Sequence, residues 1–154
     1  MSLPVTRTRT GAMTRPRATR TTLLVVQLFI ALTAALGGLA LVLGSMSADL
    51  ATILSPPDDV LEGSPFDSFL VPGVILAVVL GGVHVWAAVA VLRRSRWALF
   101  LSAAAGYAML TWIFVQMVVV PFSALQAVYF AAGAVELGLV LLLLGVVPAR
   151  TAAD

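Results

Sequence analysis

Two side chains in this sequence could hold a proton at a depth that water does not reach: Glu136 and His84. Glu136 lies in a long apolar run, about 12 residues from its start, or roughly 18 Å along a helix. An ionised carboxylate at that depth is costly, and such residues face a protein interior and mark ion or substrate paths. His84 lies in another apolar run, about 15 residues beyond Phe69 and so roughly 22 Å deep. On this ruler the two depths differ by about 5 Å, so a proton could be shared if the two faces meet. Imidazole titrates near neutrality, which would make such a pair responsive to physiological pH. Each residue also has a plainer reading. Glu136 could be a protonated side chain bonded to a neighbouring helix. His84 could be a neutral imidazole donating to a backbone carbonyl, the reading preferred for His84 taken alone.

Other polar residues share these apolar runs. Tyr107 and Thr111 fall at middle depth in a third run, and Gln116 lies near its end; Gln27 and Thr33 fall in the first. Hydrogen bonding between helices is the expected role of all five. Trp86 and Trp112 are expected to pack or to sit at an interface. A metal is not expected, because one His and one midspan acid do not make a ligand set. The chain has no phosphate-binding glycine loop, no nucleophile elbow and no HExxH, so no cofactor is implied and an enzyme reading has no motif behind it. Cysteine is absent, which removes disulfides and thiolate chemistry.

The elements that must carry these residues follow from composition. Of 154 residues, 61% are hydrophobic and only 10% charged, against roughly 25% charged in soluble domains. A soluble fold of this size could not hide so much apolar surface, whereas a bilayer can. Four apolar stretches stand out, at about 23–43, 69–92, 97–120 and 124–147. Each is long enough to cross a hydrocarbon core of about 30 Å as a helix. The alternation needed for a membrane barrel is missing. The fold expected is therefore all-α, a membrane-embedded four-helix bundle over residues 22–148. It is flanked by a basic, disordered tail over 1–21 and a short tail over 149–154.

Charge orients the bundle. All nine basic residues are arginines. Arg7, Arg9, Arg15, Arg17 and Arg20 precede the first span, Arg93, Arg94 and Arg96 join the second to the third, and Arg150 follows the fourth. The loop after the first span holds Asp49, Asp58, Asp59, Glu62 and Asp67 and no base. Basic segments stay in the cytoplasm, so both termini are expected inside a plasma membrane. The computed isoelectric point of about 9.9 is thereby read as a topology signal and not as a nucleic-acid interface. A cleaved signal peptide is the competing reading of the first run, but signal h-regions have roughly 7–15 apolar residues and this run is longer. Met13 is an alternative start that would leave Arg15, Arg17 and Arg20 in place.

Local signals refine the ends. Pro56-Pro57 and the acids predict a mostly irregular loop. Ser64-Pro65-Phe66-Asp67 predicts a helix starting at Pro65, with a kink at Pro72. Ser123 and Gln126 spell a capping box opening the last span, and Pro148 closes it. Small residues recur at helical spacing: Ala34 and Gly38; Gly73, Ala77 and Gly81; Ala98, Ser102 and Gly106; Ala134 and Gly138. In lipid, such stripes let helices approach closely.

The stretches Leu61-Glu62-Gly63-Ser64-Pro65-Phe66 and Leu70-Val71-Pro72-Gly73 carry a resemblance, together with Trp112-Ile113, Gln116 and Leu125-Gln126-Ala127-Val128-Tyr129-Phe130. They make the chain resemble a group of uncharacterised small four-span proteins of high-GC bacteria, from the first span to the last. The resemblance implies a fold and no activity, and it places any binding near the outer leaflet. Small multidrug exporters also have four short spans and a membrane acid, but theirs lies in the first span and here it lies in the fourth.

Two functions are expected to compete. The first is a structural or accessory subunit that acts by helix packing in the bilayer, with further copies of itself or a larger membrane partner. The second is a proton-linked small-molecule carrier using Glu136 and His84.

Overall fold

The structure, a computed structural model, describes residues 14–146. Residues 1–13 of the basic tail, Pro148, Arg150 and the short C-terminal tail lie outside the described residues. Five helices follow in order: α1 (Thr14–Met46), α2 (Ala48–Leu54), α3 (Leu70–Leu92), α4 (Ala98–Val119) and α5 (Ala124–Leu143). Among the described residues there is no strand. α1, α3, α4 and α5 are each long and apolar enough to cross a membrane.

α1 begins at Thr14, well before Leu23, so the segment 14–21 is helix and not the expected tail. Pro16 falls in its first turn, where backbone N–H groups have no intrahelical acceptor and proline costs little. The hydroxyls of Thr21 and Thr22 donate back to the carbonyls of Arg17 and Ala18, which fits them into the helix. With 33 residues, α1 is about 50 Å long at 1.5 Å per residue, so it outruns a hydrocarbon core.

The acidic loop is more ordered than expected. α2 folds back on α1, and a 3-10 turn spans Asp58–Leu61. No helix starts at Pro65. The Ser64 hydroxyl accepts from the Phe66 N–H at 3.2 Å, closing a local turn, and α3 begins at Leu70. Pro72 therefore sits in the first turn of α3, where a proline replaces an unused donor and need not kink the helix. The irregularity comes later, as a π-helical segment at Ile75–Gly81 between α-helical turns.

The two tight connections are capped in different ways. Ser123 and Gln126 close the capping box: the Ser123 hydroxyl accepts from the Gln126 N–H, and the Gln126 side-chain oxygen accepts from the Ser123 N–H. α5 stops short of Val147 because Gly145 adopts φ 72°. There the N–H groups of Gly145 and Val146 reach back to Leu142 and Leu141, the two bonds of a Schellman end. α3 ends with the same pair of bonds, from Arg94 to Val91 and from Ser95 to Ala90. The left-handed position is here filled by Arg94, at φ 50°.

α1 packs on α3 and α5, and α4 packs on the same two helices. Every neighbour is thus antiparallel, and the arginine turn lies at the end opposite the acidic loop. α1 and α3 touch backbone to backbone. A Cβ on Gly38 would lie 2.5 Å from the Gly73 carbonyl, and one on Gly73 would lie 2.9 Å from the Gly38 carbonyl. Gly106 and Gly133 make the close contacts between α4 and α5. The stripe expected on the last span is displaced: Gly133, Glu136 and Val140 face inward, whereas Ala134 is exposed and Gly138 opens on empty space. Leu32, Val78, Phe114, Val118 and Leu125 point outward, a surface that suits acyl chains.

Candidate functional site: a buried polar layer

Two apolar layers fill the interior. One, toward the arginine end, is Leu23, Ala90, Val91, Ala98 and Val140. The other is Ile30, Met109 and Ile113. Between them each spanning helix contributes one polar side chain: Gln27 from α1, His84 from α3, Ser102 from α4 and Glu136 from α5, all at 0% exposure. Helical spacing makes this a layer, since each residue sits three or four positions from apolar residues on the same face.

The four are bonded to one another. The Gln27 amide donates from Nε2 to Ser102 Oγ and to Glu136 Oε1, both at 2.8 Å. The Ser102 hydroxyl then donates to the Ala98 carbonyl at 2.8 Å. His84 Nδ1 meets the Leu80 carbonyl at 2.7 Å, and His84 Nε2 stands 3.2 Å from Glu136 Oε2. Neither of these last two atoms has another hydrogen-bond partner. The Gln27–Ser102 bond joins α1 to α4 and the His84–Glu136 contact joins α3 to α5, so both diagonals are bridged. In membranes each interhelical hydrogen bond contributes about 0.6 kcal/mol on average and about 1.7 at most.

The hydrogen bonds also count protons. A carbonyl only accepts, so Nδ1 of His84 must carry hydrogen. In the neutral ring Nε2 is then a bare acceptor aimed at a carboxylate oxygen, and two acceptors at that distance repel. One additional proton resolves the conflict, as a carboxylic acid donating to imidazole or as imidazolium donating to carboxylate. The Leu80 carbonyl lies in the π-helical segment, a local departure from the regular α ladder of the kind that recurs at functional sites. Gln27 Oε1 has no partner.

The remaining expected residues do not join the layer. Tyr107 is 64% exposed and Thr111 is exposed, both on the outer face of α4. At 100° per residue they lie about 140° and 180° around α4 from Ser102, which faces inward. Gln116 lies elsewhere, half-buried on a cavity of about 190 Å³ toward the acidic-loop end, with Trp112, Gln126 and Tyr129. Thr33 bonds within its own helix, to the carbonyls of Phe29 and Ile30. Ser102 escaped sequence reasoning because it reads as one small residue in the stripe Ala98–Ser102–Gly106. The signal was present, since a hydroxyl on a stripe that must face inward needs a partner there. Among the described residues no third His, Cys, Asp or Glu joins the pair to make a metal-sized group. No known family model matches this chain, and neither a curated protein nor a solved structure matches it.

Proposed function

We propose that this chain is a multi-pass protein of the cell membrane, a four-helix bundle with both termini in the cytoplasm, and that it serves as a structural or accessory subunit. The four apolar helices support the first part. The arginine turn at one end and the acids Asp49, Asp59, Glu62 and Asp67 at the other support the orientation. The observation that carries the role is the sealed layer. Gln27, His84, Ser102 and Glu136 meet one another at 0% exposure, through the two Gln27 amide bonds and the His84–Glu136 contact, which ties the four helices together and leaves the apolar outer faces to meet lipid, another copy or a larger partner.

The absence of cysteine makes the test direct. Ser102→Cys is close to isosteric, and in whole cells it should resist both impermeant and permeant thiol reagents. Labelling by either reagent would reveal a water path to the layer and overturn the role. Glu62→Cys should react from outside, and Ser95→Cys only after permeabilisation; the reverse pattern would overturn the orientation.

One observation favours a second reading, a proton-linked carrier: the 3.2 Å contact between the fully buried His84 Nε2 and Glu136 Oε2. That reading requires an alternate conformation that opens the layer. Glu136→Gln separates the two readings, because an amide cannot titrate. A carrier would lose its pH-driven uptake in vesicles, whereas an accessory subunit would assemble as before.

A further inference from the structure

We infer that the turn between α3 and α4 is a binding site for one anionic phospholipid. A groove of about 420 Å³ lies there, lined by Trp86, Val89, Ala90, Arg93, Trp97 and Phe100 among others. Its chemistry has two parts. Trp86, Trp97 and Phe100 are exposed, and they form an apolar, aromatic wall at the depth where such rings meet the ester and headgroup region. Arg93 is on the groove itself, and Arg94 and Arg96 flank it. None of the three is paired with a carboxylate among the described residues, where the one close acid–base pair is His84–Glu136. The described acids of the loop are at the far end of the molecule. Guanidinium groups bind phosphate oxygens in a planar, two-point geometry, so an unpaired cluster beside an aromatic wall fits a phosphodiester attached to acyl chains.

A second observation comes from the backbone. Arg94 occupies the left-handed position of the helix end, at φ 50°, where glycine is free of strain and fills the matching place at Gly145. A bulky residue there is strained, because its Cβ crowds the following carbonyl oxygen. In return the turn stays tight and carries three cations within four residues. The Arg96 guanidinium lies 5.3 Å from the Trp97 ring centroid, a cation–π contact that holds the charge over the aromatic wall. Free phosphate would satisfy the arginines but not the rings, and a zwitterionic lipid would satisfy the rings but bring its own cation to the arginines. The occupant that satisfies both is a lipid of net negative headgroup, of the phosphatidylglycerol or cardiolipin kind. Basic clusters beside a spanning helix attract such lipids by about fivefold per arginine.

This site rests on the membrane reading but not on the accessory role. The test uses the full chain in mixed micelles, with Trp112→Phe so that Trp86 and Trp97 alone report. Quenching by phosphatidylglycerol with brominated chains is compared with quenching by brominated phosphatidylcholine. The expected result is half-quenching at several-fold lower mole fraction for the anionic lipid, a preference cut about fivefold by Arg93→Gln and unaffected by millimolar inorganic phosphate. Val89→Trp adds a fluorophore but fills the groove without touching a charge. Since it changes the baseline, it is read by native mass spectrometry, where it should lose the retained anionic lipid. Equal quenching by the two lipids, or an anionic preference that survives Arg93→Gln and Val89→Trp alike, would overturn the site. Loss of the preference on adding inorganic phosphate would overturn it as a lipid site. Quenching by neither lipid would overturn the membrane reading itself.

Discussion

The two halves of this molecule are held together by different physics. Toward the acidic-loop end, α1 and α3 meet through Gly38 and Gly73, where no side chain intervenes and the backbones themselves touch. Toward the arginine end, Gln27, His84, Ser102 and Glu136 fill the interior and bond across both diagonals. The first contact depends on shape alone, so any added atom harms it. The second depends on matching donors to acceptors, so substitutions that keep the match should be tolerated. In lipid neither contact is driven by the hydrophobic effect, since acyl chains are as apolar as leucine. Packing and hydrogen bonding are what remain.

Substitutions can break this comparison in order of expected effect. Gly38→Leu forces α1 from α3, and should cost about 3 kcal/mol in reversible unfolding from micelles. A loss much smaller than that would show that the helices separate easily there. Gln27→Leu removes both amide donors and leaves Glu136 Oε1 and Ser102 Oγ without them, an expected loss of about 1–2 kcal/mol. Were the two losses equal, the distinction between the halves would fail. Arg94→Gly acts in the opposite direction, relieving the left-handed turn and stabilising by about 1 kcal/mol in the same assay. Glu136→Gln sharpens the donor–acceptor rule. The new amide can donate to His84 Nε2 while its oxygen still accepts from Gln27, so the unfolding midpoint should stay within about 0.5 kcal/mol of the parent. A large loss would mean the pair is held as imidazolium and carboxylate. Tyr107→Phe should change stability by no more than about 0.5 kcal/mol, as its ring faces outward.

Much of this architecture was legible in advance. Four runs of apolar residues bounded by arginines, acids and prolines already specify four helices long and apolar enough to span a membrane, because a backbone in hydrocarbon would have no other way to satisfy its hydrogen bonds. The capping box at Ser123 was legible because both partners lie within one turn. The start of α3 was not. Ser64, Pro65 and Asp67 carry a helix signature, yet the Ser64 hydroxyl is taken by a local turn, and local signals alone do not rank such alternatives. The π-helical segment had no signature at all.

The difference between Tyr107 and Ser102 shows where legibility ends. Both are polar residues on one apolar helix, and composition treats them alike. Rotation of α4 decides which faces inward, and small residues set that rotation by their contacts with neighbouring helices. In the same way the sequence by itself determined that Glu136 and His84 lie at similar depth, since rise per residue is fixed by the backbone. That they stand 3.2 Å apart, with Gln27 and Ser102 completing the layer, was decided only by tertiary structure. Depth is a property of one helix and its length, whereas facing is a property of four helices packed together.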